Sequence, residues 1–236
     1  MVMRNHNNAR MKMRMPTSIT LQEVRRQPEV QTYLSMAGRN MQIIGYTEHG
    51  HRHAARTAKY ARRILLELGF TEREAELSAI SGYLHDIGNA VNRDFHPQVA
   101  VTMAFTLLRE MGMPASELGE VLCGIANHDE GVGEPFGTTA AAVILADKSD
   151  VSRDRVTNPE PATFDEHDRI NYAAIWSKLR VDKENRIITL ELRIDSKLGS
   201  VMEYFELFLQ RMVLCRRAAN ILKASFSLII NGAKLI

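Results

Sequence analysis

The apolar positions of this chain recur at helical spacing over most of its length and change to a two-residue period only near the end. Thr20-Leu-Gln-Glu23 has the form of a capping box and predicts a short helix there. Pro28 suits the first position of the next helix, which runs toward Gly45. Between His51 and Leu68, the residues Ala54, Ala58, Ala61, Leu65 and Leu68 fall on one helical face, and Gly69 supplies a stop. Thr71-Glu-Arg-Glu74 is a second capping box, opening a helix with Leu77, Ile80 and Leu84 that ends close to His85-Asp86. Pro97 predicts a helix start for 97–111, closed by Gly112. Pro114 opens a segment through Leu118, Val121, Leu122 and Ile125 that ends near His128. Gly131, Gly133, Pro135 and Gly137 mark a loop, after which Thr138 or Thr139 is expected to cap an alanine-rich helix through Val143, Ile144 and Asp147.

Beyond a loop at 156–163, with Pro159 and Pro161, the period changes. Leu179 and Val181, then Ile188, Leu190, Leu192 and Ile194, alternate with polar residues as half-buried strands do, with Lys183–Asn185 as the hairpin turn. A long amphipathic helix over about 197–223 carries Val201, Tyr204, Phe205, Phe208, Met212 and Cys215 on one face. The closing SFSLIINGAKLI reads as a final strand. The expected fold class is mostly α, a helical bundle with a small C-terminal α+β appendage in the order ββαβ. The expected division is a disordered basic arm at 1–16, a helical domain at 17–156 and an α+β subdomain at 165–236. The aromatic face of the long helix is expected to pack on its own hairpin, with a homodimer interface as a second role.

Composition narrows the class. The 236 residues are 45% hydrophobic and 25% charged, ordinary for a globular chain. No run approaches the roughly 20 apolar residues that cross a bilayer. The first fourteen residues carry Arg4, Arg10, Lys12 and Arg14, no acid and no apolar core, so no secretory signal is expected, and Met11, Met13 or Met15 are alternative starts. Without those four cations the formal charge changes from +2 to −2. The basic excess therefore belongs to the arm, and neither nucleic acid nor membrane is expected as a partner. Cys123 and Cys215 lie far apart, without the spacing of a zinc or redox motif, and suit a reducing cytoplasm as small packed groups.

The chemistry-bearing residues sit at element ends: His53 early on one helix, His85-Asp86 at the end of the next, His96 before Pro97, His128 after a later helix, and Asp147 near the end of another. Each element has an apolar face suited to a bundle, and bundles build metal sites by pointing imidazoles and carboxylates inward from several helices. Mixed nitrogen and oxygen donors suit iron, manganese, zinc or nickel better than calcium.

In that order, His53, His85-Asp86 and Asp147 resemble the H…HD…D signature of the HD superfamily of metal-dependent phosphohydrolases. Arg56, three residues after His53, is similar to the family's HxxR helix. YLHDIG resembles the usual setting of the dyad, and ILADKSD the segment delivering the last aspartate. The resemblance covers about residues 45–155. HPQVA at 96–100 resembles the HPxxG segment of the binuclear branches, and ANHDEG at 126–131 the stretch that supplies further histidines there. The resemblance thus implies an HD-domain bundle with two divalent ions (iron, manganese, zinc, nickel or magnesium). His53, His85, Asp86 and Asp147 would hold the first; Asp86, bridging, with His96 and His128, the second. It implies Asp86 as a catalytic residue that orients the metals. Lys148 and Arg56 are candidates to contact phosphate, Arg52 a weaker one; a solvated helix lysine is the alternative for Lys148.

The cyclic-dinucleotide branch carries HHExxDGxGYP, where this chain has Asn127-His128-Asp129-Glu130-Gly131-Val132-Gly133-Glu134-Pro135. The first histidine is an asparagine and Gly-Tyr-Pro is missing, which weighs against cyclic-dinucleotide cleavage while His128 remains. His49 shares the face of His53 if their helix starts early enough; His51 points elsewhere. Asp129 and Asp150 are candidates to orient ligands, or plain surface carboxylates. The expected function is a cytoplasmic phosphohydrolase acting on a small phosphate ester, nucleotide or related phosphomonoester. The alternatives are a phosphodiesterase on a cyclic or dinucleotide, and a non-catalytic nucleotide-sensing module.

Overall fold

Among the described residues, eight α-helices precede a small sheet, and local sequence explains most of their ends. The structure, a computed structural model, describes residues 18–236, so the expected arm at 1–16 lies outside the described residues. Helix α1 (Leu21–Arg25) opens with the capping box: the Glu23 amide donates to Thr20 Oγ1 and the Thr20 amide donates to Glu23 Oε2. Helix α2 (Pro28–Ile43) starts at its proline, and α3 spans His51–Glu67. The second capping box opens α4 (Glu72–Leu84). A 3₁₀ turn at Ile87–Ala90 leads to α5 (His96–Glu110), followed by α6 (Ala115–Ala126) and α7 (Thr138–Lys148). Neither Thr138 nor Thr139 caps α7. Gly137 stands in the cap position at φ 117°, a conformation glycine tolerates, and no side chain bonds the helix start.

Every residue from Thr139 to Lys148 is buried, which is why α7 shows no polar stripe in sequence. It runs through the middle of the molecule, against α3, α4 and α6 on one side and the C-terminal elements on the other. One apolar core joins Val24, Leu34, Ile80, Leu84 and Ile125. A second joins Ile64 and Leu65 of α3 and Ile144 of α7 to Leu190, Phe208 and Leu228 of the C-terminal part.

That part begins with α8 (Glu166–Ala173), which the sequence reading did not anticipate, capped by Asp165. Strand β1 (Ala174–Asp182) pairs antiparallel with β2 (Ile187–Ile194), Leu179 opposite Leu190. Helix α9 (Val201–Ile221) crosses to β3 (Ser225–Ile230), parallel to β2. The expected final strand turns at Asn231-Gly232 and returns as β4 (Ala233–Lys234), so the order is ββαββ and the sheet reads β1-β2-β3-β4. The long helix starts at Val201, because Ser200 and Glu203 form a third capping box. Tyr204 and Phe208 are fully buried in the second core, as the packing reading expects. None of the described helices is long and apolar enough to cross a membrane.

Gly88 sets the approach of the 3₁₀ turn to α5. A β-carbon there would lie 2.0 Å from the His96 carbonyl oxygen and 2.8 Å from the Ala100 amide nitrogen. We expect Gly88→Ala to cost about 1–3 kcal/mol, the usual range for forced overpacking. Urea unfolding measures it; an unchanged midpoint would show that the turn moves aside freely.

Candidate metal centre

His53 sits in the first turn of α3, His85 caps the end of α4 with Asp86 next, and His96 begins α5. His128 lies two residues past α6 and Asp147 in the last turn of α7. All six side chains are buried. Burying so many polar groups costs free energy unless they find partners. What they find is one another.

The Nε2 atoms of His53 and His85 are 3.2 Å apart, and those of His96 and His128 are 3.1 Å apart. Asp86 stands between the pairs. Its Oδ2 lies 3.2 Å from His85 Nε2 and 3.7 Å from His53 Nε2, while its Oδ1 lies 3.5 Å from His96 Nε2 and 3.6 Å from His128 Nε2. Asp147 Oδ1 closes the first pair, 3.1 Å from His53 Nε2 and 3.9 Å from His85 Nε2.

The opposite ring nitrogens decide what these contacts are. His53 Nδ1 donates to Asp150 Oδ2 at 2.7 Å, and His85 Nδ1 to the Gly82 carbonyl at 2.8 Å. His96 Nδ1 donates to the Arg93 carbonyl at 3.0 Å, and His128 Nδ1 to the Ile125 carbonyl at 2.7 Å. A neutral imidazole with its proton on Nδ1 has a lone pair on Nε2. The facing Nε2 atoms therefore present lone pair to lone pair, which is no hydrogen bond. Asp86 Oδ2 is buried among them with no hydrogen-bond partner. Cations between these atoms would turn each repulsive approach into coordination, so the donor set fits a metal. Imidazole nitrogen with carboxylate oxygen suits the transition ions named above. Three groups have ligand atoms close enough to share an ion: His53, His85 and Asp86; Asp86, His96 and His128; and His85, His128 and Asp147.

The electrostatics point the same way. Burial alone would raise the Asp86 carboxyl, but His85 and His128 outweigh it and hold the group well below the ordinary carboxylate range. Burial is likewise overcome at Asp147 by Lys148 and His53. Burial, aided by His128 and Arg93 against the pull of Asp86, pushes His96 down to about 4, so that ring is a neutral donor at neutral pH.

Around this set lies a layer that the sequence reading placed only partly. Asp150 is 1% exposed and receives His53 Nδ1–H on Oδ2. Arg52 Nη2 reaches the same oxygen at 3.0 Å, and Arg56 Nε lies 2.9 Å from Oδ1. Arg56 also donates to Ser177 Oγ and covers the Tyr60 ring. Its guanidinium thus lies between Asp150 and Ser177, in the layer that backs the ligands. Lys148 Nζ, 2.8 Å from Asp147 Oδ2, also pairs with Glu130, and it lines the recess over the cluster. It is a buried cation at the site and not a solvated one. Asp129 Oδ2 approaches His96 Nε2 to 3.7 Å. His49 donates from Nδ1 to the Thr47 carbonyl and lines the recess without joining any of the three ligand groups. His51 is exposed and bonds Ser35.

Arg93, Arg155 and Arg211 also line the recess, and none was singled out in sequence. Arg93 offered one signal, three residues before His96, where its Nη1 now lies 3.3 Å from His96 Nε2. Arg155 and Arg211 offered none, since only the packing of α9 and the 153–155 turn brings them in.

Residues 50–152 match the family described as HD domain. An uncharacterized protein of Methanocaldococcus jannaschii is 28% identical over 163 residues, 58% of this chain and 61% of the relative. The chain thus spans less than two thirds of that relative's length.

Asp150 supplies a test of the outer layer. Burial would raise its carboxyl, yet His53, Arg155 and Arg52 hold it well below the ordinary range. A depressed carboxylate stabilises the fold above its unfolded pKa of about 3.9 and loses that contribution as pH falls further. We expect metal-stripped Asp150→Asn to be less stable than stripped wild type at pH 6 by about 3–5 kcal/mol, the cost of breaking a buried charge pair. The gap should narrow below about pH 4. Metal affinity should fall about 10–100-fold. Denaturation at several pH values and competitive metal titration read the two effects.

Proposed function

We propose, because residues 50–152 match the family described as HD domain, that this protein is a metal-dependent phosphohydrolase acting on a small phosphate ester, a nucleotide or related phosphomonoester. The observation that carries the reading is the pair of facing, proton-free Nε2 contacts with Asp86 between them. His53, His85, Asp86 and Asp147 would hold one divalent ion and Asp86, His96 and His128 a second. Two such ions, when bound, lower the pKa of water and neutralise phosphoryl oxygens during in-line displacement.

The chain's own groups supply the rest. Lys148 is buried, and Asp147 and Glu130 keep its ammonium charged despite burial. It stands beside the cluster with a full positive charge for a phosphoryl oxygen, in a site that largely excludes water. Glu130 is gripped from the other side by Arg211, 2.7 Å away, which fixes the loop bearing His128. Asn127 serves that loop too: its Nδ2 donates to the Cys123 carbonyl and its Oδ1 accepts the Glu134 amide. It thus acts as a loop brace where the cyclic-dinucleotide branch has a histidine.

A small ester is favoured by space. The cavity adjoining the recess is about 180 Å³, below the roughly 300–1,000 Å³ of pockets that enclose drug-sized ligands. The reading places the protein in the cytoplasm, with a diffusible substrate and no nucleic-acid or membrane partner.

Asp86→Ala removes the one group shared by both sites, and we expect it to abolish metal loading and turnover together. Elemental analysis and a screen of phosphomonoesters and phosphodiesters with each ion restored provide the check. Full turnover in that variant would overturn the assignment, and a preference for diesters would move it to the phosphodiesterase reading.

A further inference from the structure

We propose that the alcohol half of the ester is a compact, hydroxyl-bearing group, so that the substrate class is a sugar phosphate, and that residues outside the HD domain read its hydroxyls. The inference rests on the phosphohydrolase reading of the metal cluster and concerns the cavity beside it.

That cavity shares His49, Arg93, Arg155 and Arg211 with the recess over the ligands, so these residues mark the junction of the two spaces. Their free valences differ. Arg155 spends its donors on the carbonyls of Glu48 and Asp150. Arg211 uses Nε on Glu130, and its two terminal nitrogens make no hydrogen bond among the described residues. Arg93 forms no ion pair among the described residues. Two guanidiniums with capacity to spare at the junction suit the phosphoryl end of a ligand.

Past the junction the chemistry changes. Asp165, His167 and Asn171, all on or capping α8, line the cavity together with Tyr46 and Thr47 and do not line the recess. Asp165 Oδ1 accepts the Asp168 amide at 2.7 Å, which leaves Oδ2 for a ligand. Asn171 donates to the His167 carbonyl, which leaves its own side-chain oxygen. Carboxylate and amide oxygens need donors, and hydroxyls are donors. A second phosphate here would meet the Asp165 carboxylate and be repelled, so the wall selects a neutral polyol over another anion. Sugar phosphates combine one dianionic end with such a polyol. The ribosyl unit of a nucleotide presents the same chemistry.

The test uses the full chain with metal restored and compares kcat/KM for ribose 5-phosphate, 2-deoxyribose 5-phosphate, AMP, fructose 1,6-bisphosphate and p-nitrophenyl phosphate. We expect ribose 5-phosphate to exceed p-nitrophenyl phosphate by at least about tenfold, the value of one charge-assisted hydrogen bond. Asp165→Asn retains a good helix cap and removes the charge. It should reduce that preference about tenfold, chiefly through KM. His167→Ala, at an exposed position that folding tolerates, should reduce it less. A higher value for AMP than for ribose 5-phosphate would overturn the sugar-phosphate class and leave the nucleotide reading of the proposed function. Equal values for sugar and aryl phosphates, a preference that survives both substitutions, or the bisphosphate as best substrate would each overturn the proposal. If no ester turns over with any ion, the phosphohydrolase reading fails by itself. The cavity is then decided by calorimetric titration: selective binding of ribose 5-phosphate over ethyl phosphate supports the polyol wall, and equal or absent binding rejects it.

Discussion

Four imidazoles are locked in one tautomer with their lone pairs facing inward, and the architecture follows from how that lock is made. Three of the four rings donate Nδ1–H to the carbonyl three residues earlier: His85 to Gly82, His96 to Arg93 and His128 to Ile125. Helix C-termini leave their last carbonyls without intrahelical partners. A histidine just past such an end satisfies one of them and is oriented in the same bond. His85 and His128 occupy that position at the ends of α4 and α6. His53, in the first turn of α3, is the exception, since its Nδ1 meets a carboxylate from across the fold. That is the place of Asp150, so this one ring of the four has a buried charged partner on Nδ1.

The Asp150 carboxylate then requires compensation of its own, and the guanidiniums of Arg52, Arg56 and Arg155 surround it. Through Arg56 and Ser177, whose hydroxyl donates to the Ser149 carbonyl at 2.7 Å, this network ends on β1. A second chain runs from Asp147 through Lys148 and Glu130 to Arg211 on α9. The C-terminal sheet and helix therefore touch the cluster's supports from two sides, and they share an apolar core with α7. Perturbing that unit should be felt at the ligands, because buried charge pairs are costly to leave half-made.

The helical body was legible because its apolar residues keep a 3.6 period and because two capping boxes and several prolines mark its starts. The six candidate ligands, which the fold brings together, could be picked out because residue type and order survive without coordinates. What escaped reading depends on approach between distant segments. Arg56 has the right spacing from His53, but spacing does not reveal that Asp150 and Ser177 claim its guanidinium. Helix α8 carries few apolar residues, Ile170 and Ala173 among them, and is held by its Asp165 cap and by packing, so it has little period to detect. Asn231-Gly232 was a turn signal in plain view, overridden by the apolar run before it. The Ser200–Glu203 capping box, also present in the sequence, marks the start of α9 at Val201 and not at about 197.

The division of labour along the chain has a physical basis. All six candidate ligands come from α3 to α7 and the turns between them, where the buried faces of the bundle exclude water and fix geometry. The wall farther out comes from α8, whose exposed side chains carry little of the core. Between the two, the cavity passes from metal-ligating and cationic groups to neutral and acidic acceptors within a few residues of lining. A ligand with one dianionic end and one donor-rich end has its two ends attracted to different places, and the wrong orientation sets phosphate against the Asp165 carboxylate. On the proposed reading, orientation would be imposed by an electrostatic gradient and not by shape alone. It also follows that substitutions in α8 can change which alcohol is accepted while the cage at the other end of the cavity stays as it is.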